Sequence, residues 1–335
     1  MERGFPARLS QMGRLVPPGP LGCGGAPLGN LYRAIDDEAA QATLEAAWRC
    51  GVRHFDTAPF YGFGLSEQRM GAALRRHPRD AFTLSTKVGR LLSPGIGLPR
   101  ERHGYVDALK FEVKFDYSAD GALRSIEASL RRLALDRIDI AYIHDVGFDT
   151  HGADWLTAFD TAMTGAAVAL TRLREEGVIK AWGLGVNLAA PCVLALQRAD
   201  PDVFLLAGRY TLMDYAAGDI LFADCLARGV SVVAGGPYNS GLLAGGSTYD
   251  YRPAGAGMIA LRDRLSAVCA RHGVDLRSAA LQFCAAHPAV ACVIPGARSA
   301  AEMLENARLM QAVIPGALWD ELRALDLLPE HAPTP

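Results

Sequence analysis

Asp56 and Tyr61 stand five residues apart in the stretch Asp56-Thr57-Ala58-Pro59-Phe60-Tyr61-Gly62, a carboxylate at the end of an apolar run and a phenol in the turn beyond it. A phenol gives or takes a proton near neutral pH only where a cation brings its pKa down from about 10. Lys87, at the end of the next apolar run, and His144, closing a later one, are able to complete such a site. Taken singly, each has a plain structural reading: a loop tyrosine packs, a strand-end lysine pairs in a salt bridge, and a lone histidine is satisfied by its neighbours. Together, at successive strand ends, they define one chemistry. Lys87 lowers the Tyr61 pKa, Asp56 holds Lys87, and His144 orients an oxygen while the proton moves.

The elements that must position these groups are legible in the alternation of short apolar runs with amphipathic segments. Strand-like runs fall at 19–25, 54–58, 82–88, 138–144, 181–187, 204–210, 231–237 and 290–295. Helical periodicity follows nearly every one, as at 66–76, 120–133, 164–176, 220–228 and 300–309, with Gly177, Gly229 and Gly273 as stop signals. About eight βα units without a break in composition predict one α/β domain over 1–335, a closed (β/α)8 TIM barrel, with a doubly wound sheet as the alternative. His54 and Asp56 alternate with Phe55 and so share one side of their strand. Long connections at 89–112, 146–163 and 241–257 are expected to rim the active-site face. The tail at 317–328 reads as an extra helix covering part of that rim.

Composition narrows the function classes. A formal net charge of -2 over 335 residues provides no basic stripe for a nucleic-acid backbone. The seven cysteines are scattered singly with no C-x-x-C, which fits reduced thiols in a cytoplasmic protein. No apolar run approaches the roughly 18 to 20 residues needed to cross a bilayer. G-x-G-x-x-G after a strand, G-x-x-x-x-G-K-[ST] and G-x-S-x-G are all missing, so neither a Rossmann fingerprint, a P-loop nor a hydrolase elbow is available.

The ordered set Asp56-Thr57-Ala58 through Tyr61-Gly62, Ser66-Glu67, Lys87, His144, the 183–187 run, and Ile294-Pro295-Gly296 through Glu305-Asn306 resembles the aldo-keto reductases over essentially the full length. The resemblance implies that Asp56, Tyr61, Lys87 and His144 are catalytic, that hydride passes to or from a nicotinamide, and that Asn187 meets its carboxamide. It further implies cofactor contacts from Gly24, Gly25, Gly241, Leu243, Pro295, Gly296, Arg298, Glu302, Glu305 and Asn306, and no metal. NADPH-preferring members carry Lys after the proline and Arg early in the next helix. Here Gly296 and Glu302 stand in those slots, which favours NAD, while Arg298 and Arg308 leave NADP open. Gly235 falls near the slot of the aromatic that stacks on nicotinamide, with Pro237 or Tyr238 as the substitutes.

The segments 205–212 and 235–243 resemble the aldose 1-dehydrogenase branch, including L-fucose and D-threo-aldose dehydrogenases and the similar pyridoxal 4-dehydrogenases. The resemblance therefore implies oxidation of an aldose at C1 to the lactone, with Tyr61 as base and Asp145, Asp149 and His151 reading sugar hydroxyls. A pyridoxal dehydrogenase and a general NADPH-dependent carbonyl reductase are the alternatives within the family. Outside that chemistry stand a metal hydrolase using His54, Asp56, His144 and Asp145, a Schiff-base aldolase using Lys87, and a cofactor-binding regulatory subunit. The expected partner is a small sugar or aldehyde, and the oligomeric state is left open.

Overall fold

The computed structural model describes residues 14–335. Eight parallel strands run in chain order: β1 (Cys23–Gly24), β2 (His54–Asp56), β3 (Thr83–Val88), β4 (Ile140–His144), β5 (Ala181–Val186), β6 (Val203–Ala207), β7 (Ser231–Gly235) and β8 (Val290–Ile294). Leu21 bridges Val293 and Gly24 bridges Gly296, both in parallel sense, which brings β8 back to the first strand and makes the sheet a barrel. Each strand feeds a helix that returns over the outside, the crossover that parallel neighbours require.

Because both faces of such a sheet are covered, the strands are apolar almost throughout. Ile140, Tyr142, Ala181, Val203, Leu205, Val233, Cys292 and Ile294 fill the barrel interior, with Leu15 packed against them. A larger core lies between strands and helices. The small residues of β5 let this interior close: a Cβ on Gly183 would stand 1.7 Å from the Val203 carbonyl oxygen. One on Gly185 would lie 3.2 Å from the Lys87 Cε, so that glycine leaves room for the lysine stem.

The strands match the apolar runs but are shorter, since β1 keeps only two residues of 19–25. The expected helix at 220–228 divides into Ala216–Ile220 and Phe222–Arg228, where Leu221 leaves helical geometry. The connections carry structure of their own. Arg90–Pro94 pairs with Phe111–Phe115, Glu101–Arg102 with Tyr105–Val106, and Thr248–Tyr249 with Arg252–Pro253, all antiparallel. After β4 the chain forms helices Phe148–His151 and Trp155–Thr164.

The C-terminal helix, Gly316–Ala324, does not roof the rim. Its buried face of Leu318, Trp319 and Leu322 docks on the outer helices Ala256–Arg271 and Leu276–Ala286. There Trp319 meets Phe283 at 6.4 Å between ring centres, and Glu321 binds His272 at 2.6 Å and also Arg271. An apolar stripe must be buried, and the nearest uncovered apolar surface is this outer layer.

His54 sits in the barrel wholly buried, and neither ring nitrogen has a hydrogen-bond partner among the described residues. Burial pushes its pKa down to about 4, with Asp139 opposing and Lys87 assisting. The unfolded chain therefore takes up this proton first, at about pH 6.5, and stability present above that pH is lost as pH falls towards the folded value. Denaturant titrations of wild type should lose on the order of 3 kcal/mol between about pH 6.5 and 4 from this group. His54→Leu should flatten that part of the profile.

Candidate active site

β2 and β3 pair with Asp56 opposite Ser85, which sets Lys87 beyond the end of β2, over the carboxylate. Lys87 Nζ donates to Asp56 Oδ2 at 2.7 Å and to the Thr57 carbonyl at 2.9 Å, while Ser85 Oγ donates to Asp56 Oδ1 at 2.7 Å. Both charged side chains are about 1% exposed, so these bonds replace the water each ion has lost. Behind them Thr57 Oγ1 meets Ser66 Oγ at 2.8 Å, and Ser66 donates to the Gly25 carbonyl at 2.7 Å.

Tyr61 lies half-buried above this pair, its ring centre 4.6 Å from Lys87 Nζ. The turn that carries it runs through Gly62, Phe63 and Gly64, at φ of 64°, 56° and 102°. It is also held by a backbone crossing: a Cβ on Gly29 would stand 2.5 Å from the Tyr61 carbonyl carbon. His144, 5% exposed at the end of β4, faces Tyr61 with ring centres 6.0 Å apart. Its backbone carbonyl accepts from Tyr117 Oη at 2.9 Å, which ties down the strand end.

The four expected groups therefore meet in one pocket, but the electrostatics differ from the sequence reading. Tyr61 is not acidified by Lys87. Burial, followed by Asp56 and Asp145, holds its phenol well above the ordinary value, and Arg90 alone is seen to oppose them. The ammonium is taken up by its own carboxylate, and of that pair it is the Asp56 charge that bears on the phenol, raising its pKa. His144 is held neutral, pushed well below the ordinary imidazole value by burial and then by Arg90 and Lys87.

Sequence reasoning missed four contributors. Arg90 packs over the rings of Phe60 and Phe115, at 4.0 and 4.8 Å, and reaches Asp145. Tyr105 is brought in by the Glu101–Val106 hairpin, its ring centre 6.4 Å from that of Tyr61. Tyr251, at a hairpin tip fixed by the Arg209–Asp250 ion pair, donates to Asn187 Oδ1 at 3.2 Å. The fourth is Gly29. A cation three residues beyond Lys87 was the one available signal; the other three depend on loop conformation.

The expected cofactor residues lie at the ends of β1, β5, β7 and β8, but several are already engaged. Gly24 pairs with Gly296, whereas a Cβ on Gly25 would meet the Asp56 carbonyl oxygen at 2.6 Å, so Gly25 serves packing behind the pair. Asn187 donates to Asp149 at 3.1 Å. Glu302 caps the helix start: Ser299 Oγ, at the N-cap, accepts from the Glu302 amide, and Glu302 Oε2 accepts from the amide of the preceding Arg298 at 2.8 Å. Its carboxylate is turned to the backbone, which weakens the case for NAD built on it.

Glu305 binds Arg277 and Arg308, and Asn306 Oδ1 accepts from Tyr238 Oη at 2.7 Å. A cleft of about 520 Å³ adjoins these residues, lined by Leu243, Gly245, Arg262, Asp275 and Arg277 among others. Gly241 borders open space, Arg298 Nε and Asn239 Oδ1 are buried without partners among the described residues, and the helix Ala300–Met310 begins just beyond Pro295 and Gly296. An unpartnered guanidinium N–H beside a helix N-terminus suits a phosphate-bearing dinucleotide. Among the described residues no group of three or more His, Cys, Asp or Glu is placed to hold a metal, and no helix is long and apolar enough to cross a membrane.

A barrel with these strand-end groups belongs to a nicotinamide-dependent oxidoreductase class, and comparison with known proteins gives the family. The aldo/keto reductase family model matches residues 20–327, and the chain belongs to that family. It is 39% identical over 320 residues to a D-threo-aldose 1-dehydrogenase of a Pseudomonas species, covering 92% of this chain and 94% of that one. It is 41% identical over 323 residues, with the same coverage, to a pyridoxal 4-dehydrogenase of Microbacterium luteolum. An aldo-keto reductase from Bacillus halodurans in its holo form superposes with a TM-score of 0.69 at 25% identity, covering 93% of this chain and 94% of that one.

Gly29→Ala tests the backbone crossing that places Tyr61. With far-UV circular dichroism unchanged, turnover should fall on the order of 10²-fold, because displacement of a reacting group by an ångström has that effect.

Proposed function

We propose that this protein oxidises an aldose at C1 to the lactone with NAD(P), and that Asp56, Tyr61, Lys87 and His144 carry the reaction. The observation that carries this reading is the polar pocket wall around Tyr61, where His144, Asp145, Arg90 and Tyr105 converge and a polyhydroxylated ring would find donors and acceptors. The identity to a D-threo-aldose 1-dehydrogenase supports it.

His144 is buried at Nδ1 without a partner among the described residues, and its Nε2 lies 3.3 Å from Asp145 Oδ2. With its proton on Nε2 the neutral ring would donate to the substrate oxygen. Tyr61, as phenolate, would accept the proton of the anomeric hydroxyl as the C–H electron pair leaves C1 as hydride. Lys87 and Asp56 hold the floor beneath it, Asn187 would meet the carboxamide, and Arg298 would meet a phosphate. When bound, the oxidised nicotinamide supplies the hydride acceptor and a positive charge.

Pyridoxal is the second candidate, favoured by the 41% identity and by the Phe60, Tyr61 and Tyr105 rings, which offer faces to a flat heteroaromatic substrate. L-fucose, D-arabinose, L-galactose and pyridoxal, each assayed with NAD and with NADP by absorbance at about 340 nm, separate the two. Turnover of pyridoxal alone would overturn the aldose reading.

Since Tyr61 rests as a neutral phenol, oxidation needs it deprotonated, and kcat/KM for oxidation should climb from about pH 7 towards pH 10. Reduction, which uses the neutral phenol as donor, should fall over the same range. Tyr61→Phe should remove at least about 10²-fold in both directions; retention of most activity would remove Tyr61 from the mechanism.

A further inference from the structure

Asp145 follows His144 in a left-handed backbone conformation, φ 53°, a geometry that non-glycine residues adopt chiefly at turns and functional sites. The turn bends its side chain back beside the imidazole. The carboxylate is 7% exposed, and its contacts fall on one oxygen: Oδ2 receives Arg90 Nη2 at 2.5 Å and lies 3.3 Å from His144 Nε2. Oδ1 has no hydrogen bond among the described residues. The guanidinium that holds the carboxylate is itself fixed between the Phe60 and Phe115 rings.

The two other groups expected to read sugar hydroxyls lack such an opening. His151 Nε2 is taken by Tyr117 Oη at 2.9 Å, and Asp149 is exposed and bound to Asn187.

We propose that Asp145 is the specificity-determining acceptor of this pocket: clamped by Arg90 through Oδ2, it offers Oδ1 to a hydroxyl on the carbon next to the reacting one, which selects 2-hydroxy aldehydes and the aldoses built on them. His144 Nε2 marks where the reacting oxygen sits, and a carboxylate beside that nitrogen stands at the spacing of the next oxygen along the carbon chain. A substrate lacking that hydroxyl leaves a largely buried carboxylate oxygen without the donor it has exchanged for water, and a site built this way rejects the analogue. The inference rests on carbonyl–carbinol chemistry at Tyr61 and His144, and does not require the anomeric position or the oxidative direction.

Reduction of 2-hydroxypropanal and of propanal, each with NADH and with NADPH, reads the effect through kcat/KM. Wild type should prefer 2-hydroxypropanal by about 10- to 100-fold, the range of a hydrogen bond to a charged acceptor. In Asp145→Ala the preference should collapse to within about threefold, with the larger loss on the hydroxylated substrate. Asp145→Asn keeps the side-chain volume should alanine disturb the Arg90 clamp, and it should cut the preference at least about fivefold. Equal losses on both aldehydes would leave Asp145 as a support for His144 only and overturn the proposal. So would a wild type without preference or without turnover on either aldehyde. An enzyme showing the expected pattern yet oxidising no aldose would keep Asp145 in this role and overturn the proposed C1 oxidation.

Discussion

The Lys87–Asp56 ion pair is the constraint around which the barrel end is organised. Two ions about 1% exposed persist only if every lost water contact is replaced, and the replacements come from Ser85, the Thr57 carbonyl and the register of β2 against β3. That requirement reaches outwards. Gly185 stays small because the lysine stem passes it, and Ser66 lies where Thr57 and the Gly25 carbonyl need it. The pair forms the floor under Tyr61, and its carboxylate helps to hold the phenol above its ordinary pKa.

The second cation, Arg90, follows just after the end of β3. Gly89, at φ 97°, turns the chain so closely against Tyr117 that a Cβ would stand 2.4 Å from its ring, and Arg90 emerges on the pocket side three residues after Lys87. One strand end therefore feeds two ion pairs: one beneath Tyr61, the other beside His144. The first is closed on all sides by protein. The second has an oxygen left over, and in a buried pocket this difference separates a support from a recognition element.

What was legible in the sequence follows from what is local. The eight strands and their polar termini are local, because a run of buried residues ending in a carboxylate, ammonium or imidazole has few structural explanations. Residues 89–112 and 241–257 read as plain connections because their hairpins are short and pair residues whose alternation is broken by Gly and Pro. Tyr105 and Tyr251 reach the site only through those hairpins. Asp145 was visible as a polar loop residue, but its role depends on a backbone sign and on Arg90. Glu302 shows the opposite error: Ser299-x-x-Glu302 is a helix start by its own sequence, and that local reading explains its bonds better than a remote ribose does.

The same logic bears on direction. Four residue types of this kind suggest a base when Lys87 is counted as a free cation, and an acid when it is counted with Asp56. In the folded pocket the charges come as two pairs, Lys87 with Asp56 and Arg90 with Asp145, and the imidazole is neutral, so the charges of the wall nearly cancel. In a nearly uncharged, buried pocket, proton affinity responds most strongly to whatever charge enters it. A cationic ring beside Tyr61 favours the phenolate, and a neutral ring leaves the phenol intact. On the proposed mechanism, the redox state of the cofactor would then select whether Tyr61 acts as base or as acid.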